Sequence, residues 1–512
     1  MSAGDPAPGP VANLDANGER DAFRRLQARL QVMYRAVFSD DDVPRSVVVL
    51  PSFSLDADVM AKILGVQHYE ERMLCLLLLL RLPRTNVIYV SSDPISESVV
   101  DYYLHLLPGV PVRHARRRLT LISCHDTSPK PLSTKILERP RLVDRILAAI
   151  PDRAAAHMTC FNVSDEERRL AVRLGVPIYG CDPDLLHLGS KSGARALFRD
   201  AGMLIPDGFE DLSDAQQLTE ALVELKAAKP ELKRAVVKLN EGFSGEGNAV
   251  FSFEGAPQGA DLKPWIRSRL GHMGFEAAGM TWDLFESKIE AMEAIVETFI
   301  EGARKRSPSS QYRVDPTGEL ETISTHDQVL GGSASQIFLG CRFPADEAYR
   351  LAIQEEGLKA ARILRDRGVI GRFGVDFISV PGPDGWAHYA IEVNLRKGGT
   401  THPYLMLQFL TDGHYDPATG LYRSPGGRPC FYYASDNIQN ERYRGLTPDD
   451  LIDIAVLNGL HFHGTTQEGV VFHMIGALSQ YGKLGMVCVA ETPERARRLY
   501  DEAIAVLDRE TR

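Results

Sequence analysis

The chain has no CxxC pair, and its seven cysteines (Cys75, Cys124, Cys160, Cys181, Cys341, Cys430 and Cys488) are scattered over 512 residues. That usage excludes a small disulfide-stapled fold and reads as buried free thiols in a reducing cytoplasm. An excess of positive charge is also missing. With 58 Lys and Arg against 68 Asp and Glu, the net charge is −10, which gives no general basic footprint for nucleic acid. The densest basic run, Arg113, Arg116, Arg117 and Arg118, reads as a solvated face. No apolar run approaches the length of a bilayer span. Leu76 to Leu80, flanked by Arg72 and Arg81, is expected to be a core helix, so no membrane partner is expected. The start, MSAGDPAPGP, has Pro and Gly but no apolar signal core, and reads as a loose tail on a cytoplasmic protein. GxGxxG is absent after the first candidate strand, and GxxxxGK[ST] is absent from the Gly-rich turn, so the dinucleotide and Walker phosphate turns are both missing.

What is present is enough chain for two or three domains with buried interiors. After a tail and helix over 1–45, short apolar runs at 46–51, 86–92, 119–124, 156–163 and 177–180 alternate with helical stretches at 67–82, 95–107, 131–150 and 164–174. This alternation predicts a Rossmann-like α/β domain over 46–185 with a mostly parallel sheet. From about Gly189 the pattern becomes helix, Pro-Gly stop, strand, Gly-rich turn and hairpins, an α+β arrangement over 186–424. A last region, 425–512, holds two apolar runs and a terminal helix.

Three stretches carry chemistry. In GRFGVDFISVPGPDGWAHYAIEVNLRKGG, two strands flank a Pro-Gly turn, which brings Asp376 near Glu392. Side-chain alternation then places Glu392 and Asn394 on one face and Ile391 and Val393 on the other. Two carboxylates and an amide oxygen suit Mg²⁺ shared with phosphates, while the plain alternative is a pair of solvated acids on strand edges. Arg396 continues the polar face if the strand persists, either as a clamp on transferring phosphoryl oxygens or as a salt bridge to Glu392. In AVVKLNEGFSGEGNAVF, Lys238 interrupts an apolar strand, and Gly242, Ser244, Gly245 and Gly247 form a hairpin whose backbone can approach phosphate oxygens. In IVETFIEGARKR, alternation at Glu297, Phe299 and Glu301 allows a strand to pass a flat ligand, or an edge strand with outward carboxylates.

In this order, with Lys191 ahead of Lys238, Glu297, Asp376 and the E-x-N-x-R of 392–396, the chain resembles the ATP-grasp superfamily. The stretches YEERMLCLLLLLRLP, LGSKSGARALFRDAGM, STHDQVLGG and GVVFHMIGALSQYGKLG narrow the likeness to the pheganomycin-type peptide ligases. That resemblance implies a pre-ATP-grasp domain, an ATP-grasp core of two lobes and a small α+β C-terminal domain. It implies that Lys191 and Lys238 contact the nucleotide, that Glu297 and the Ile300 backbone bind adenine, and that Asp376, Glu392 and Asn394 ligate Mg²⁺, with Mn²⁺ as the alternative ion. Arg396 would contact the reacting phosphoryl group and Glu301 would hold the ribose, unless that role lies elsewhere.

The implied reaction joins an amino-acid-like carboxylate to the amine of an amino acid or peptide, using ATP and an acyl phosphate. Arg313 in QYRV, Arg372, and His326 with Asp327 are further candidates around the substrates, with a hydrogen-bonded structural histidine as the alternative for His326. His461, His463 and His473 lack metal-site spacing. A carboxylase or kinase of a small acid and a non-catalytic ATP-binding protein are the competing readings, and superfamily relatives allow a homodimer.

Overall fold

The structure is a computed structural model that describes residues 14–38, 41–54, 60, 64–242, 247–277, 279–302, 304–331, 337–383 and 385–511. The N-terminal part is built on four parallel strands, in the spatial order Leu119–Ser123, Thr85–Ser91, Arg45–Leu50, Ala156–Cys160. All six residues of Arg45–Leu50 are buried, as a strand covered on both faces requires. The apolar run at 177–180 adds only a single bridge, Met158 to Ile178, rather than a fifth full strand. Val66–Arg81, expected as an α-helix, is wound as a 3₁₀ helix. Met73 to Leu78 are all buried there, so apolar contacts surround the segment and no one-sided 3.6-residue stripe sets its winding.

Next comes a five-stranded antiparallel sheet, in the order Gly208–Leu212, Ala294–Thr298, Arg234–Leu239, Asn248–Ser252, Gly274–Phe275. Leu218, Leu222 and Leu225 of helix Ala215–Ala228 and Phe285 and Ile289 of helix Trp282–Met292 are buried against it. The third sheet has eight strands. Gly385–Asn394, Gly371–Gly382, Pro308–Val314, Leu320–Gly331 and Ile337–Phe343 come first, and Phe431–Gln439, Lys483–Ala490 and Gly469–His473 complete it. The C-terminal region therefore extends the sheet that carries the acidic hairpin. It also shares one apolar core with the N-terminal part, in which Leu77 and Tyr103 join Phe472, Met486 and Leu499. Three segments far apart in sequence thus wall a common space.

Candidate active site

One helix fixes the geometry of that space. Lys191–Asp200 starts at Ser190, whose hydroxyl accepts from the Gly193 N–H, a cap worth about 1 kcal/mol. Lys191 and Arg195 lie one turn apart on the same face of this helix. Lys191 Nζ reaches Glu392 Oε1 of the eight-stranded sheet at 2.6 Å, and Arg195 Nη1 reaches Glu297 Oε1 of the five-stranded sheet at 2.7 Å. Glu297 also receives Lys238 Nζ at 2.5 Å, a diagonal contact between neighbouring strands. Asn240 completes the frame: its Oδ1 accepts from the Ser192 N–H and hydroxyl, and its Nδ2 donates to Glu293. Asn240 and Arg195 were not singled out from sequence. The signal for Arg195 was its spacing of one turn from Lys191.

Between the sheets lies a cavity of about 430 Å³ bordered by Lys191, Lys238, Gly242, Glu297, Phe299, Ile300, Asp376, Glu392, Asn394 and Arg396. Glu297 is 2% exposed on an internal strand, so the edge-strand alternative for it is overturned. At this end the Phe299 ring is covered by the guanidinium of Arg234 at 3.9 Å and the ammonium of Lys305 at 4.5 Å. Gly242 and Gly247 face each other across the base of the Gly-rich turn. A Cβ on Gly247 would stand 2.9 Å from the Gly242 Cα, which explains glycine at both places. Ser244 and Gly245 lie outside the described residues.

At the other wall Asp376 stands opposite Glu392, and Asn394 Nδ2 donates to Asp376 Oδ2 at 3.0 Å. The register slips between Asp376 and Phe377, leaving Ile391 as the extra residue of a bulge. This corrects the strict alternation expected there: Val393 is core, but Ile391 borders the cavity. The strand ends at Asn394, yet Arg396 still faces the cavity. Burial, followed by repulsion from Glu392, pushes the Asp376 carboxyl up to about 7. Burial also acts to raise Glu392, but Lys191 and Arg396 outweigh it and hold that carboxylate below its ordinary range. Among the described residues no group of three or more His, Cys, Asp or Glu side chains is placed to hold a metal; the oxygen donors gathered here are two carboxylates and one amide.

Other expected residues are not brought to the cavity. Glu301 is bound to Arg234 through two contacts, 3.0 and 2.7 Å, and does not border the cavity, which corrects its ribose role. Arg313 pairs with Glu321, and Arg372 lies opposite Arg313 with its guanidinium 5.8 Å from the Tyr404 ring. Both belong to the far ends of their strands, so a substrate role in this cavity is corrected for each. His326 is fully buried, with Nε2 2.6 Å from the Tyr432 hydroxyl, and burial lowers it to about 3, making it a structural histidine. Asp327 accepts from the Tyr349 hydroxyl at 2.6 Å.

Comparison with known proteins agrees with this architecture. The family model described as "IQCH-like, ATP-grasp" matches residues 183–257, and the "PGM1 C-terminal domain" model matches 450–503. The chain is 29% identical over 471 residues to the L-propargylglycine–L-glutamate ligase of Streptantibioticus cattleyicolor, covering 90% of this chain and 93% of the relative. It is 20% identical to IQ motif-containing protein H of Danio rerio, covering 91% of this chain but only 48% of that longer protein. Among solved structures, biotin carboxylase from Campylobacter jejuni, in complex with a β-γ-ATP compound, superposes with a TM-score of 0.53 at 14% identity, covering 90% of this chain and 91% of that one. The ADP complex of an N5-carboxyaminoimidazole ribonucleotide synthetase superposes with a TM-score of 0.51 at 14% identity, covering 92% and 99%. Two sheets closing on a nucleotide-sized cavity, together with these matches, give the chain the ATP-grasp fold.

Proposed function

We propose that the chain is an ATP-dependent carboxylate–amine ligase in which ATP lies along the cavity, adenine toward Phe299 and Ile300 and phosphates toward Lys191, Lys238 and the acidic hairpin. The observation that carries this reading is the helix-borne pair Lys191 and Arg195. Through Glu392 and Glu297 it holds both walls of the cavity at a fixed spacing. The relative in Streptantibioticus cattleyicolor, named as a ligase of two amino acids, supports the choice of reaction.

Asp376, Glu392 and Asn394 would hold Mg²⁺, a hard cation that suits one or two carboxylates together with substrate phosphate oxygens. A carboxyl forced up to about 7 beside a second carboxylate is relieved by a cation. When bound, the ion neutralises phosphate charge. The chain's own residues do the rest. Lys191 and Lys238 keep their carboxylate partners and give their remaining ammonium N–H donors to phosphate oxygens, and Arg396 faces the terminal phosphoryl group as it moves to the donor carboxylate. A carboxylate oxygen forms the new P–O bond and ADP leaves with the electrons of the old one. An amine then attacks the acyl carbon, phosphate departs, and the amine's proton passes to solvent or phosphate. No serine or cysteine nucleophile is needed, and the protein's contribution is alignment and charge neutralisation.

Purified protein given Mg-ATP and paired pools of carboxylic acids and amines tests the proposal. ADP release that needs both an acid and an amine is the expected result. Release that needs bicarbonate would turn the assignment to a carboxylase.

A further inference from the structure

The cavity is also lined by Tyr69, Arg72, Asp436 and Lys483, beyond Arg396 and away from the nucleotide seat proposed above. We propose that Arg72 and Lys483 seat the free carboxylate of the acceptor amine, so that the acceptor is an amino acid or a peptide with an unblocked C-terminus. This rests on the ligase reading and names the substrate group recognised there.

Topology brings these residues together. In the four-stranded sheet the chain winds one way from Arg45–Leu50 to its neighbours and the other way to Ala156–Cys160, so the crevice beyond the carboxyl ends of those two strands is the switch point of an open parallel sheet, the usual place for a ligand. Phe53 and Phe161 follow these two strands, with ring centroids 5.5 Å apart. The Arg72 guanidinium lies 4.7 Å from the Phe161 ring, 5.5 Å from Phe53 and 4.7 Å from Tyr69. Rings hold a cation in place without cancelling its charge.

Charge then points to the ligand. Arg72 Nη1 meets Asp436 Oδ2 at 3.2 Å, and Lys483 Nζ donates to the Tyr69 hydroxyl at 2.7 Å. All three charged side chains are buried, at 5%, 7% and 6% exposure for Arg72, Asp436 and Lys483. Two cations and one carboxylate leave one positive charge facing the cavity. The neighbouring carboxylate of Glu71 is turned to His68, at 2.8 Å, and to the Gly476 N–H, and it does not border the cavity. Burial keeps His402 and His473, which pack beside Arg72, neutral. A carboxylate supplied by a ligand is the compensating charge.

Position decides which substrate brings it. The donor's carboxylate must meet the terminal phosphate beside Arg396, so the amine has to arrive from beyond Arg396. That is the side on which Arg72 lies, close enough for the two guanidinium charges to repel. An acceptor held by its carboxylate on Arg72 and Lys483 points its amine back at the acyl phosphate.

The test compares the proteinogenic L-amino acids with their C-terminal amides as acceptors in the ADP-release assay. Wild type should prefer the best free acid over its amide by at least about tenfold in kcat/KM, the size expected for a buried charged contact. Lys483→Met should raise the acceptor KM about tenfold and bring the acid-to-amide ratio toward one. KM for ATP and the rise in Tm on adding ADP should hold, and Lys483→Arg should restore the ratio. Equal use of acid and amide by wild type, or an unchanged ratio in a folded Lys483→Met protein, would overturn the seat. No amine-dependent ADP release from wild type with either set would overturn the ligase reading itself, and the seat with it.

Discussion

Glu297 and Glu392 each pair with a buried lysine at nearly the same distance, 2.5 Å from Lys238 and 2.6 Å from Lys191, yet they stand in different electrostatic company. Glu297 has two cations on it, Lys238 and Arg195, and Arg195 is shared with Glu210 at 3.0 Å. This is a closed network, and opening it would leave a cation buried without a partner. Glu392 has Lys191 in contact, Arg396 acting on it as a second cation, and another carboxylate, Asp376, directly opposite it. The first arrangement is a closed network within the protein, whereas the second leaves two carboxylates face to face, which the proposed cation would relieve. A buried ion pair therefore does not by itself mark a reactive site. What distinguishes the two is the second carboxylate facing Glu392 across the strands.

The sharpest way to break this comparison is Glu392→Gln. Turnover should fall by roughly a thousandfold, the scale of removing a principal charge-stabilising group, while the far-ultraviolet circular dichroism stays that of wild type. Retained turnover would remove Glu392 from the proposed metal set. Glu297→Gln should show the reverse balance. Urea titration should reveal a loss on the order of 3 kcal/mol, because Lys238 and Arg195 lose the charge that justified their burial.

A smaller effect separates the two sites by pH. A carboxyl whose pKa is raised by folding favours the folded state while protonated. The Asp376 contribution is thus complete below the ordinary carboxyl range and lost as pH climbs through about 7. Metal-free wild type should lose a few degrees of Tm relative to Asp376→Asn between about pH 5 and about pH 8, and a parallel pair of curves would contradict the assignment. The smallest change is expected at Glu301→Ala. Its carboxylate is engaged outside the cavity by Arg234, so KM for ATP should stay within about twofold; a larger rise would return the ribose role to Glu301.

The residues that border the proposed nucleotide end of the cavity recur at short range. Lys238 precedes a Gly-rich turn, and Glu392, Asn394 and Arg396 follow each other at alternate positions. The parallel sheet was legible from alternating strands and helices. What failed to show depended on pairing across long gaps. The register slip that turns Ile391 into the cavity arises from how two strands meet, and no pattern within either strand encodes it. Arg313 and Arg372 share a face with residues that line the cavity but sit too far along their strands, a distance that residue type does not reveal. Arg72, Asp436 and Lys483 belong to segments more than 300 residues apart at the extremes, and nothing local to Arg72 distinguishes it from the charged flank of a core helix.

The shared eight-stranded sheet also decides where this chain tolerates being cut. Ending it before Phe431–Gln439 would strip the partner from Ile337–Phe343 and leave an open strand edge, a template for aggregation. The same cut would remove Asp436 and Lys483. A severed nucleotide-binding fragment is therefore a poor starting point for crystallography or engineering. Fusions belong after the terminal helix Pro493–Glu510, whose end lies beyond the last strand of the sheet.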